Sequence, residues 1–307
     1  MYSTLNVANV AKKSFLLLSL AVLLLYCILV LSPEARADLS SGSVGALGPF
    51  KVIVGDRVNP ALAVSSYRLP NGVSVKIVRI NLALTSVTLH PGRLEPGGGP
   101  WGVKSYLGRS SLGGIVAAFN SGFKLKDSGG GFYENGRLVG KLVPGVASFI
   151  IHSDGGVSIA PWPKGGVIRR DVVSIRQNIK PLMLGGVFAK NIDQNLYYAW
   201  GGTLTPNYHV WRSGVAIDGF GNLIYAIGNN LTPLDLAKAL RAAGGVNAME
   251  LDINAGWTDF YYYTHSKVGG LLVSHKITDF IPPARLYFST RDRDFFSVSL
   301  KGLPPGL

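Results

Sequence analysis

The stretch Asn247-Ala248-Met249-Glu250-Leu251-Asp252-Ile253-Asn254-Ala255-Gly256-Trp257 puts two acids, an amide and an indole at the end of an apolar run. Side chains alternate along a strand, so Val246, Ala248, Glu250 and Asp252 share one face. The two carboxylates then stand two strand rises apart, roughly 7 Å at the backbone. That is near the separation an acid and a base need on either side of a glycosidic bond. Mutual repulsion raises the pKa of one of them, as a general acid requires. A wet face, or two acids each paired with an arginine, would give the same pattern.

Two further stretches offer partners. In His209-Val210-Trp211-Arg212-Ser213-Gly214-Val215-Ala216-Ile217-Asp218, alternation aligns Arg212, Gly214, Ala216 and Asp218. The small pair Gly214 and Ala216 leaves room over the strand, and Arg212 suits a phosphate or carboxylate held by two parallel hydrogen bonds. Asp218 precedes Gly219 and reads as turn chemistry. The small, apolar run Gly114 to Phe119 ends in Asn120-Ser121-Gly122-Phe123. A turn of that kind can present backbone N–H groups to an anion.

Other chemistries lack their signatures. Histidines 90, 152, 209, 265 and 275 form neither a His-x-His pair nor a His-Glu-x-x-His helix. There is no Gly-x-Ser-x-Gly elbow, P-loop or dinucleotide fingerprint. No cofactor is called for. Carboxylates and amides suit a divalent cation such as Ca²⁺ or Mg²⁺, but no dedicated ligand set is present.

The elements that must position these groups are mostly hairpins. Asn71-Gly72, Asn135-Gly136 and Asp154-Gly155 each separate two β-rich runs, and a slightly longer turn at Asp218-Gly219-Phe220-Gly221 does the same. Two helices are expected. One is weak, near 101 to 110. The other spans Thr232 to Gly244, with Thr232 as cap, Pro233 in the first turn, Asp235 at the positive end, an apolar stripe of Leu236, Leu240 and Ala243, and Gly244 as stop. The expected fold class is α+β: a hairpin-rich mixed β-sheet domain with one or two packed helices.

At the start, Lys12 and Lys13 precede an uncharged apolar run from Ser14 to Ser32, followed by Ala35-Arg36-Ala37. Residues 1–37 are thus a signal peptide cut near Ala37 or an uncleaved N-terminal membrane anchor, the membrane contact then being 14–32. Either places the rest outside the cytoplasm, membrane-anchored or secreted. Residues 38–50 read as a flexible spacer and 51–307 as the domain. The single cysteine, Cys27, lies in the apolar run, so the exported part has no disulfide, which fits a bacterium and a core that needs no staples. The chain is basic, net +13, with its cations scattered. The compartment argues against nucleic acid. Wall and surface polymers that carry phosphate are the abundant polyanions there.

In order, the stretches "AAFNSGF", "GGFYENGRLV", "WRSGVAIDGFGNLI" and "LTPLDLAKALRAAGGVNAMELD" resemble the phosphodiester glycosidase domain family, which includes the mannose 6-phosphate uncovering enzyme and secreted bacterial relatives. The similarity spans Val103 to Tyr263. It implies hydrolysis of a sugar-1-phosphate diester, here in a cell-wall or surface glycan, releasing the sugar and leaving a phosphomonoester. By matched position it assigns site roles to Asn120, Arg212 and Asp252. Catalysis is expected from Asp252 and Glu250, the latter from alternation. Substrate binding is expected from Asn120, Gly122, Arg212, Asn254 and Trp257, Trp257 offering a flat face to a sugar ring. Where the family carries three glycines after the aspartate, this chain has Ile253-Asn254-Ala255, so a non-catalytic module binding a glycan or phosphate polymer is the alternative. The mass of the mature protein separates the two N-terminal readings: a first residue at Asp38 is the cleaved form.

Overall fold

Asn71-Gly72, Asn135-Gly136 and Asp154-Gly155 each turn the chain back on itself, the glycine taking at low cost the left-handed backbone that the turn needs. Asn135 and Gly136 show it, with φ of 44° and 87°. In the computed structural model the described residues are 45–97, 99–108, 114–194, 199–202, 207–266, 271–279 and 284–302. From Gly45 on they belong to one compact unit. Residues 14–32, Cys27, Ala37 and the spacer up to 44 lie outside the described residues. Among the described residues no helix is long and apolar enough to cross a membrane.

The strands are β1 (Ala46–Leu47), β2 (Lys51–Gly55), β3 (Pro60–Arg68), β4 (Ser74–Ile80), β5 (Thr85–His90) and β6 (Ile115–Asn120), then, after the short helix α1 (Leu125–Ser128), β7 (Phe132–Glu134), β8 (Arg137–Val139), β9 (Ala147–His152), β10 (Val157–Pro161), β11 (Val172–Asn178), β12 (Pro181–Leu184) and β13 (Val187–Phe188). They continue with β14 (Val210–Asp218), β15 (Leu223–Leu231), helix α2 (Pro233–Ala242), β16 (Gly245–Glu250), β17 (Phe260–His265), β18 (Leu272–Lys276) and β19 (Phe295–Leu300). The nine-stranded sheet runs β1-β3-β4-β15-β14-β16-β12-β13, with β2 also on β3. Two five-stranded sheets run β10-β9-β11-β7-β8 and β18-β17-β6-β19-β5.

This corrects the expected fold class. The protein is predominantly β, not α+β, and its sheets are not mixed: every pairing between named strands is antiparallel. The four expected hairpins form, as β3–β4, β7–β8, β9–β10 and β14–β15. No helix forms over 101–108, where the chain is bends and coil. That run holds Gly102 and Gly108, and its one capping residue type, Ser105, sits mid-run with only two residues before the next glycine, too few to offset the cost of nucleating a turn. The folded unit also starts before residue 51, since Ala46–Leu47 pairs with Tyr67–Arg68.

The nine-stranded sheet has two buried faces. One carries Ile77, Ala216, Ile224 and Ala248 under α2, which contributes Leu236, Ala237 and Leu240. The other carries Val78, Val215, Tyr225 and Met249 and shares a single core with Phe119 and Phe296 of one five-stranded sheet and Phe132 and Phe149 of the other. Helix α2 starts as its sequence specifies. The Thr232 hydroxyl accepts from Asp235 N, and the Asp235 carboxylate accepts from Thr232 N, a reciprocal cap with Pro233 in the first turn. Gly244, at φ 100°, takes the chain out of it. Thr232→Ala is expected to lower stability by about 1 kcal/mol, and Leu240→Ala by about 2–5 kcal/mol, in urea unfolding followed by circular dichroism.

Candidate functional site

Strand β16 lies between β14 and β12, with Gly214 opposite Glu250. Alternation puts Glu250 on the same face as Ala248, and that face is roofed by α2. Glu250 and Arg212 are therefore sealed inside, 0% and 2% exposed. They form an ion pair at 2.5 Å from Arg212 Nη1 to Glu250 Oε1. The remaining Arg212 donors go to main-chain carbonyls: Nε to Leu231 (2.8 Å), Nη1 to Trp200 (3.2 Å) and Nη2 to Tyr208 (3.1 Å). The room expected over Gly214 is filled, since a Cβ there would meet Leu236 Cδ2 at 3.0 Å. Burial pushes the Glu250 carboxyl up to about 7, against the pull of Arg212.

Past Glu250 the chain leaves the strand, and the two acids part company. Ser213 holds the departing backbone, its N–H and hydroxyl both donating to Asp252 O at 3.0 and 2.9 Å. Asp252 Oδ1 accepts from Ile253 N (2.8 Å), Asn254 N (2.9 Å) and Asn254 Nδ2 (3.0 Å). Its Oδ2 accepts from Arg293 Nη2 at 3.1 Å. Burial raises the Asp252 pKa, opposed first by the Arg293 charge and then by the Asn254 and Ile253 donors. Trp257 N and Thr258 N donate to Asn254 O, and Gly256, at φ 82°, completes the turn.

This turn borders a cleft of about 850 Å³. Asp252, Ile253, Asn254, Ala255 and Trp257 line it together with Arg293, as do Phe123, Lys124 and Asp127 from the segment after β6. Gly201, Gly202, Asn207, His209, Val210, Trp211 and Asn229 complete the lining. The Arg293 guanidinium sits 5.0 Å from the centroid of the Trp257 ring, and Trp257 is 39% exposed. Acid, cation, amides and open indole faces together suit a ligand that is part anion and part sugar.

Asn120 and Gly122 stand behind the cleft. Asn120 Oδ1 accepts from Tyr225 OH (2.8 Å) and Asp259 N (3.1 Å), while Nδ2 donates to Ser213 Oγ (2.9 Å) and Ser121 O (2.8 Å). All its hydrogen-bonding positions are in use. Gly122 is there for packing: a Cβ would come within 2.8 Å of Asn178 Cγ. So Asp252, Asn254 and Trp257 line the cleft, whereas Glu250, Arg212, Asn120 and Gly122 form the layer that supports it.

No protein-family profile matches the chain, and no curated protein matches it in sequence. Three solved structures are distantly similar in fold. The catalytic domain of zebrafish N-acetylglucosamine-1-phosphodiester alpha-N-acetylglucosaminidase, auto-inhibited by its pro-peptide, has a TM-score of 0.48 at 18% identity over 86% of this chain and 90% of that one. A hypothetical protein from Synechocystis gives 0.42 at 14%, over 83% and 64%. A Burkholderia pseudomallei K96243 protein assigned as exported gives 0.29 at 9%, over 76% and 74%.

Sequence reasoning passed over Arg293 and the buried run Arg176-Gln177-Asn178. Arg293 sits in Arg291-Asp292-Arg293-Asp294, where charge alternates and no spacing shows which members turn inward. The signal for Arg176-Gln177-Asn178 was present: three consecutive polar residues ending a strand that begins Val172-Val173-Ser174-Ile175. Among the described residues no group of three or more His, Cys, Asp or Glu side chains is arranged to hold a metal. Asp259 was also missed. It is fully buried, takes a short hydrogen bond from Tyr287 OH, and its Oδ2 has no partner. Burial lifts its pKa from the ordinary 3.8 to about 7. Between those two values the folded chain keeps a proton that the unfolded chain has lost, so stability falls as pH rises through that window and levels off above it. Glu250 and Asp252 shift the same way. Urea unfolding across that range is expected to show the decline, and Asp259→Asn to flatten part of it.

Proposed function

We propose that the protein is an exported hydrolase that cleaves sugar-1-phosphate diester linkages in a cell-wall or surface glycan, with its site in the cleft beside Asp252. The observation that carries the reading is the meeting of Asp252, Arg293 and Trp257 on that cleft: a carboxylate, a cation and an aromatic face, one for each part of such a linkage. The ordered motif resemblance from Val103 to Tyr263 and the leader-like start of the chain support it. In this reading Asp252 is the catalytic carboxylate. It accepts a proton from water as the water oxygen adds to the anomeric carbon, the C1–O bond breaks, and the phosphomonoester departs with the bonding pair. A phosphate leaving group carries its own charge and needs no acid, so one carboxylate suffices. Glu250 and Arg212 are positioning residues that fix the strand end; Asn254 and Trp257 hold the sugar.

A second reading has its own support. Glu250 is shut away with Arg212, and both oxygens of Asp252 are engaged. Glu250 is therefore not available to the cleft as a second acid, which favours a glycan- or phosphate-polymer-binding module. The full chain in detergent, given nucleotide-linked sugar-1-phosphodiesters, separates the two. Turnover is expected in the wild type. Asp252→Asn is expected to lower kcat by about 10²-fold or more with its melting transition retained, and Trp257→Ala to raise KM. Binding without cleavage by a folded wild type would select the module.

A further inference from the structure

We propose that Arg293 is the anion-recognising residue of the cleft, and that its ligand, a phosphate oxygen, displaces Asp252 from it. This deepens the functional reading above and rests on it for the identity of the phosphate as part of a glycan linkage.

The geometry is that of an arginine held ready by a replaceable partner. Among the described residues the guanidinium makes two hydrogen bonds, both from Nη2, to Gly122 O at 2.7 Å and to Asp252 Oδ2 at 3.1 Å. Its Nε is buried with no hydrogen-bond partner at all. A buried donor left unpaired costs free energy, and an incoming oxygen on the Nε side of the fork removes that cost. The Gly122 carbonyl and the Trp257 ring fix the plane of the guanidinium, so it need not reorganise. A preorganised fork of this kind is what planar anion recognition requires.

The asymmetry of Asp252 makes it the displaceable partner. Oδ1 is fixed by three donors on its own turn, whereas Oδ2 is held by Arg293 Nη2. When a phosphate takes that edge, Asp252 stays in place but loses its counter-charge, and Oδ2 becomes the free oxygen facing the ligand. Two negative groups then share one cation, so the carboxyl gains affinity for a proton. Ligand binding and proton uptake by Asp252 are thereby coupled in mildly acidic solution, where the protonated carboxyl no longer serves as the base. At higher pH it stays ionised, and its raised proton affinity makes it a better acceptor of the water proton. The charged and titratable groups around Asp252 are Arg293, Glu250, Asp259 and Tyr225. Lys124, Asp127 and His209 also line the cleft, a second cation beside an acid and an imidazole.

Isothermal titration of the full chain in detergent tests this, with a sugar-1-phosphodiester, inorganic phosphate and the phosphate-free sugar as probes. Arg293→Gln is expected to weaken the diester at least tenfold and leave the phosphate-free sugar unchanged. Arg293→Lys, which keeps the charge but not the fork, is expected to fall between. Inorganic phosphate that binds as tightly as the diester would assign the site to free phosphate, still through Arg293. Repeating the titration at mildly acidic pH in buffers of different ionisation enthalpy should show proton uptake that Asp252→Asn abolishes. A merely structural arginine would not produce that uptake. Diester affinity unchanged in a folded Arg293→Lys or Arg293→Gln protein, or no proton uptake in the wild type, would overturn the proposal. Turnover with an unchanged KM in Arg293→Gln would sink this inference and leave the hydrolase standing; Arg293-dependent binding without turnover would do the reverse.

Discussion

Buried polar groups must find partners, and in this protein that requirement ties several segments to one place, the end of β11. Arg176, Gln177 and Asn178 are three consecutive polar side chains, each almost wholly buried. Arg176 donates to Asp294 at 2.6 Å and to the carbonyl of Phe123. Asn178 donates to the carbonyls of Glu250 and Leu251, and accepts from Phe123 N. Gln177 fastens Gly131 and Val143. The segment after β6, the end of β16 and the start of β19 are thus tied to a single strand. Removing one member would leave charges or carbonyls stranded in a dry interior, which costs several kcal/mol in the charged case, on the order of 3–5.

Most of the local structure was legible in the sequence. Asn135-Gly136 and its counterparts named their hairpins, and Thr232, Pro233, Asp235 and Gly244 named both ends of α2. Alternation was also right as far as it applied, since Glu250 does share a face with Ala248. It could not say what covers that face. A helix ten residues long lies over it, so the acid and Arg212 read as ligand-binding are sealed together. Nor could it tell where the strand stops, and Asp252 lies beyond that point. The fold class failed for a related reason. One well-marked helix prompted the α+β reading, while short strands such as Pro181–Leu184 and Val187–Phe188 carry too few residues to show a period.

Ile253-Asn254-Ala255 take on a different meaning in three dimensions. Ile253 is 1% exposed, and its Cδ1 lies 3.0 Å from where a Cβ on Gly201 would be. Its side chain packs under the cleft floor near Phe123, which also crowds Gly201, instead of filling the cleft. Asn254 closes a hydrogen-bonded ring with Asp252. Ile-Asn-Ala makes this turn stiffer and better anchored than glycines would, at the very residue whose position the proposed chemistry needs.

The order of these groups along the chain also sets when the cleft can exist. Strand β6, ending at Asn120, is bracketed in its sheet by β17 and β19, from far later in the sequence. Arg293 and Asp294 come after every other group of the site. Pairings over such separations close large loops and form slowly. A chain emerging from its N-terminus would carry Asn120, Arg212, Glu250 and Asp252 in a half-built sheet, with Asp252 lacking its cation, until the final strand docks. The cleft is therefore complete only once the last strand docks, and a chain interrupted before β19 has its earlier motifs but not the Arg293 side of the cleft.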